Sequence, residues 1–116
     1  MVVHGIAVLT ENGATVVSAK GELDAFTAPG LTEAFGRAQG NGRDVVVDLA
    51  DVAFMDSTAL GLVVRAVREL GEDGRAVRVV LPRGTARRVF EITTVDRVLP
   101  VAGSRTDALA ELVAEG

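Results

Sequence analysis

The segment Asp44-Val45-Val46-Val47-Asp48-Leu49 is apolar on both faces through its middle. A strand of that composition needs cover above and below, so it reads as the central strand of a layered fold. The cover begins a few residues later. Leu60, Val63, Val64, Val67 and Leu70 recur at helical spacing, while Arg65, Arg68, Glu69 and Glu72 take the opposite face. Between strand and helix stands Asp56-Ser57-Thr58-Ala59-Leu60-Gly61. Asp56 and Ser57 therefore fall at a helix N-terminus, where backbone N–H groups lack partners and the helix dipole favours negative charge. A hydroxyl there can carry a phosphate at little cost to the fold, which makes Ser57 a candidate switch. Asp and Ser are also among the best N-cap residues, so helix stability alone would account for the same pair.

The remaining elements follow from local patterning. Residues 6–10 and 15–21 read as two strands joined at Asn12-Gly13, a pair suited to a tight type I′ turn because both positions need positive φ. Gly21-Glu22-Leu23-Asp24 ends the second strand. Thr27 and Pro29 mark a helix start, with Leu31, Ala34, Phe35 and Ala38 as its apolar stripe and Gly40-Asn41-Gly42 as its stop. The covered strand spans 44–49 and the next helix 57–70, with Gly71 as its C-terminal cap. A Val-rich strand over 75–81 closes at Pro82. Thr85 caps a short helix that turns Ala86, Val89 and Phe90 inward, a last strand covers 98–101, and Ser104 or Thr106 opens a final helix with Leu109, Leu112 and Val113 on one face. The order β-β-α-β-α-β-α-β-α predicts an α/β fold: a mixed sheet whose later strands are joined by right-handed helical crossovers.

A chain of 116 residues is one domain, long enough for a single core. With four Phe and no Trp or Tyr, the core must be built from Val, Leu and Ala, and base-stacking surfaces for nucleic acid are disfavoured. A net charge of −4 argues against direct nucleic-acid or anionic-membrane binding. No cysteine is present, which removes thiol catalysis, disulfides and zinc–thiolate sites. No apolar run reaches the length of a membrane span, and Met1-Val2-Val3-His4-Gly5 lacks the character of a signal peptide, so a cytoplasmic location is expected.

Enzyme motifs are missing. A nucleophile elbow around Ser57 would place Gly two residues to either side, where Met55 and Ala59 stand. The only histidine, His4, precedes the first strand and is badly placed to serve as a base. Gly71-Glu72-Asp73-Gly74-Arg75 lacks the Gly-Lys-Ser/Thr of a phosphate-cradling loop and reads as a helix-to-strand turn. Asp48, Asp51 and Asp56 are strung along a strand and its exit loop, as solvated acids rather than a metal cluster. Arg83, Arg87 and Arg88 form a small basic patch that reads as a solvated helix face.

Gly21-Glu22-Leu23-Asp24, the Val-rich strand ending in Asp48-Leu49, and Phe54-Met55-Asp56-Ser57-Thr58-Ala59-Leu60-Gly61 together resemble the STAS domain, in particular the single-domain bacterial anti-sigma factor antagonists. Ala86-Arg87-Arg88-Val89-Phe90-Glu91 is similar to the same family's third-helix segment, so the likeness spans nearly all of residues 1–116. The resemblance implies a STAS fold with helices mainly on one sheet face, no enzymatic activity and no cofactor. It implies that Ser57 is the phospho-acceptor, with Thr58 the less favoured alternative, and that Asp24, Asp56, Ser57, Thr58 and Leu60 meet the partner. That partner would be an anti-sigma factor with serine kinase activity, captured by the unphosphorylated form so that sigma factor is freed. A phosphatase would return the phosphorylated form to the active, unphosphorylated one, and the free protein would be a monomer. Ala59 departs from the common Gly and should stiffen the first helical turn. The rival expectation is an unphosphorylated STAS interaction module, a scaffold or a subunit of a transporter-associated complex, in which Ser57 is only a helix cap. A small-ligand sensor is a third class, for which no residue argues.

Overall fold

The structure is a computed structural model that describes residues 2–3 and 5–115; His4 lies outside the described residues. Among the described residues, six strands form one mixed sheet in the order β1-β2-β3-β4-β5-β6. They are β1 (Val2–Val3), β2 (Ile6–Glu11), β3 (Ala14–Leu23), β4 (Val45–Met55), β5 (Val77–Val80) and β6 (Val101–Ala102). The helices are α1 (Ala28–Asn41), α2 (Ser57–Glu72), α3 (Gly84–Ile92) and α4 (Arg105–Glu115). The first three strands pair antiparallel, and β3 through β6 pair parallel. The α/β architecture and the expected element order are present, with the two-residue β1 added at the edge. Asn12 (φ 50°) and Gly13 (φ 80°) turn β2 into β3 with positive φ at both positions, as the tight turn requires.

The pleat explains the doubly apolar central strand. Val45 and Val47 of β4 face one core with Val17, Val77 and Val79, under α1, α2 and α3. Val46 faces the other way with Val16, Val80 and Ala102, under Ala108, Leu109 and Leu112 of α4. Among the described residues, three helices thus cover one face and α4 covers the second. Val45, Val46 and Val47 are completely buried.

Several boundaries differ from those the sequence suggests, each for a local reason. Strands β3 and β4 run on past residues 21 and 49 because they continue to pair, as far as Leu23 with Met55, through two register shifts, one of them next to Gly21 at φ 79°. Helix α2 continues through Gly71, and the left-handed turn falls at Gly74 (φ 82°) instead. Thr85 lies inside α3, whose N-cap position is Arg83. Residues 95–97 form a 3₁₀ turn entered through Thr94 at φ 59°, so the expected strand over 98–101 shrinks to Val101–Ala102. Pro100 has no N–H to give a ladder, and only its carbonyl is used, by Val79 N–H at 2.9 Å. Of the two hydroxyls considered for α4, Ser104 caps it, accepting from Asp107 N–H at 3.0 Å. Val113 is 65% exposed and lies off the apolar stripe.

Candidate functional site

Leu23 and Met55 are the last paired residues of two neighbouring parallel strands. The chain leaves both strands at the same end of the sheet, so Asp24 and Asp56 emerge side by side although far apart in sequence. This is the carboxyl end of the parallel strands, where α/β sheets open a surface between loops. The junction is closed by backbone: Asp56 N–H donates to Leu23 carbonyl at 3.1 Å.

Asp56 does two jobs there. Its Oδ1 accepts from Ala59 N–H at 2.9 Å and caps α2. Its Oδ2 accepts from Ala25 N–H at 3.2 Å and so ties the β3–α1 loop to the start of α2. Asp24 organises that loop from within. Its Oδ1 accepts from Phe26 N–H at 3.0 Å and Thr27 N–H at 3.1 Å. Thr27 returns the contact, its hydroxyl accepting from Asp24 N–H at 2.9 Å. Thr27 occupies the N-cap position of α1 as its sequence context suggests, but its side chain serves the Asp24 turn and makes no capping bond to the helix.

Ser57 is the first residue of α2, exposed, and the cap is Asp56 beside it. The rival expectation, that Ser57 is only a helix cap, is not met: an N-cap side chain must come from the last extended residue, and Asp56 (ψ 176°) is that residue. Thr58 is likewise exposed. Leu60 is not. At 6% exposure it belongs to the core under α2, so it supports the site from inside and offers a partner almost nothing. Ala59 is fully buried too, so its methyl group does not stand between the site and an approaching backbone.

Asp48 does not join this site. Asp48, expected to be solvated, is 9% exposed and paired with Arg105, whose Nε reaches Asp48 Oδ2 at 2.8 Å. The same guanidinium reaches Glu11 Oε1 at 2.8 Å and Ser18 Oγ at 3.0 Å, pinning the start of α4 to β2, β3 and β4. Burial acts against the Arg105 charge, but hydrogen bonds and attraction from Asp48 and Glu11 outweigh it and raise its pKa above the ordinary guanidinium value. Among the described residues no three His, Cys, Asp or Glu side chains gather as metal ligands would. Arg83, Arg87 and Arg88 are exposed, and Arg87 pairs along its helix with Glu91 at 3.6 Å.

The family model of the STAS domain matches residues 5–108. The chain belongs to the STAS domain family. A curated relative, the anti-sigma-B factor antagonist of Staphylococcus aureus (strain NCTC 8325 / PS 47), is 35% identical over 86 residues, 73% of this chain and 80% of that protein. Among solved structures, an anti-sigma factor antagonist from Mycobacterium paratuberculosis superposes with a TM-score of 0.83 at 33% identity, covering 92% of each chain. The anti-sigma factor antagonist SpoIIAA in its unphosphorylated form superposes at 0.59 with 25% identity, over 80% of this chain and 96% of that one. STAS domain proteins of this kind are regulatory binding proteins, not enzymes. No helix among the described residues is long and apolar enough to cross a membrane.

Sequence reasoning missed Arg105, which had no local signal because its partners lie in three strands remote in sequence.

Proposed function

We propose that this STAS protein is an anti-sigma factor antagonist switched by phosphorylation at Ser57. In its unphosphorylated form it binds an anti-sigma factor with serine kinase activity and frees the sigma factor. Phosphate on Ser57 ends that binding, and a phosphatase restores it. The protein acts in the cytoplasm, as a monomer when free, and without touching DNA or membrane itself.

The observation that carries this reading is the division of labour at the start of α2. Asp56 caps the helix, which leaves the exposed Ser57 hydroxyl without a structural task. A phosphate there would add about −1.5 to −2 charge beside Asp24 and Asp56, while the helix N-terminus offsets part of it within the domain. The fold tolerates the change. A partner surface matched to a small neutral hydroxyl between two carboxylates does not. The names of the relatives support the same role, since both the Staphylococcus aureus protein and SpoIIAA are called anti-sigma antagonists.

The scaffold reading loses its account of Ser57, because the cap it invoked is supplied by the neighbouring residue. Incubation with the purified serine-kinase anti-sigma factors of the same organism and ATP, followed by peptide mass spectrometry, tests the proposal. Stoichiometric phosphate on Ser57 is expected. Phosphate confined to Thr58 would move the acceptor by one residue, and none at all would favour the scaffold.

A further inference from the structure

The Asp24 carboxylate is held by a residue to which the phospho-switch gives no part. Three polar or charged residues are buried among the described ones: Thr15, Thr27 and Asp48. Asp48 is matched by Arg105, and Thr15 by Asn41 near the start of β3. Thr27 lies in the β3–α1 loop, 8% exposed. It stands at the N-cap position of α1, where a hydroxyl ordinarily accepts from the first helical N–H groups, yet it gives α1 no such bond. Its oxygen accepts instead from Asp24 N–H at 2.9 Å, and its proton is within reach of the Glu22 carbonyl at 3.3 Å. Asp24 answers with Oδ1, which accepts from Thr27 N–H at 3.1 Å and Phe26 N–H at 3.0 Å. The two residues thus close a reciprocal box over Asp24-Ala25-Phe26-Thr27, as a capping box does at the first turn of a helix.

The box leaves the two junction carboxylates unequal. Asp56 spends both oxygens inside the domain, on Ala59 N–H and on Ala25 N–H. Asp24 spends Oδ1, and among the described residues its Oδ2 accepts no hydrogen bond. Asp24 is half-buried, so the place of that second oxygen is set by the turn that grips the first. A carboxylate free to swing would lose conformational freedom on meeting a partner, whereas one locked beforehand has little left to lose. The Thr27 hydroxyl has no duty outside this box and the end of β3.

We infer that Thr27 is a positioning residue for the partner surface: its buried hydroxyl fixes the Asp24 turn, so that Oδ1 stays locked and Oδ2 is presented, already placed, to a hydrogen-bond donor of the anti-sigma factor. The inference rests on the functional reading above and extends it. Ser57 decides whether the two proteins bind. Thr27, without touching the partner, sets how well Asp24 meets it. Because Asp56 accepts from Ala25 inside the same box, the Asp24 turn is also held in register with the start of α2, where Ser57 stands.

Four variants of the full chain test this. Thr27→Val and Thr27→Ala remove the hydroxyl, Thr27→Ser keeps it, and Thr15→Val removes a different buried hydroxyl, the one that accepts from Asn41 Nδ2 at 2.7 Å at the other end of β3. Each is titrated calorimetrically with the purified serine-kinase anti-sigma factors of the organism and used as a phosphorylation substrate, well below its melting transition. Loss of the Thr27 hydroxyl should weaken binding about five- to thirty-fold and raise the KM for Ser57 phosphorylation by a like factor at unaltered kcat. Thr27→Ser should recover most of the affinity. Thr15→Val should melt lower yet bind as wild type does. In the free protein, amide exchange at residues 26 and 27 should quicken without the Thr27 hydroxyl and stay slow in Thr27→Ser. Wild-type affinity in Thr27→Val and Thr27→Ala, or an equal loss in Thr15→Val, would overturn the positioning role and leave the phospho-switch standing. A wild type that captures none of these factors would sink the functional reading, while the exchange rates would still decide whether Thr27 holds Asp24.

Discussion

Replacing Asp56 separates the structural duty of the α2 N-terminus from its signalling duty. The Asp56→Ala change removes the capping bond to Ala59 N–H at 2.9 Å, worth about 1 kcal/mol, with a range of about 0.5–2. It also removes the longer, exposed bond to Ala25 N–H at 3.2 Å, for which about 0.5 kcal/mol is appropriate. Loss of a negative charge at a helix start adds about 0.3–1 kcal/mol. Together the expected cost is about 1.5–3 kcal/mol, and at about 4 °C per kcal/mol for a domain of this size the melting point should fall by about 6–12 °C. Asp56→Asn keeps an acceptor for Ala59 N–H and should cost less than about 1 kcal/mol. Ser57→Ala removes an exposed hydroxyl with no cap to lose and should stay within about 0.5 kcal/mol. Thermal and urea unfolding followed by circular dichroism on the three variants measures all of this. A larger loss for Ser57→Ala than for Asp56→Ala would refute the assignment of the cap and remove the argument that Ser57 is free to signal.

Three further outcomes are expected. Ser57→Asp should fold normally, because the helix N-terminus accepts the charge, yet lose about 2–5 kcal/mol of affinity for the anti-sigma factor, about thirty-fold to several-thousand-fold; calorimetric titration giving the wild-type affinity would place Ser57 outside the interface. Val47→Asp sets a charge at a completely buried position of the central strand and should cost more than about 4 kcal/mol, enough to abolish the cooperative melt. Arg105→Met strands the Asp48 carboxylate and should cost about 1–3 kcal/mol, with most of that loss absent when Asp48→Asn is already present; additive losses in the double-mutant cycle would mean the pair is not coupled.

The residues alone determine the layers and their sequence here. The period-2 Val runs, the helical stripe from Leu60 to Leu70, and the Asn12-Gly13 turn are local signals, and local sterics and hydrophobic periodicity decide what they become. The position of Ser57 at the start of α2 belongs with them, since the strand–helix junction is written in contiguous residues. Which of Asp56 and Ser57 caps the helix depends on where the backbone leaves the extended region, and that is set by how far β4 continues to pair with β3. Leu60, read both as part of the apolar stripe and as a partner-facing residue, is core, because helix rotation is fixed by the whole stripe packing on the sheet. Asp24 and Asp56 come together because two parallel strands end in register, Arg105 finds Asp48 because α4 crosses the second face, and the β3–α1 loop is tied at Ala25 by the Asp56 carboxylate from another loop. Each of these contacts joins segments distant in the chain, and only the pairing of strands and the packing of helices brings their side chains within hydrogen-bonding distance.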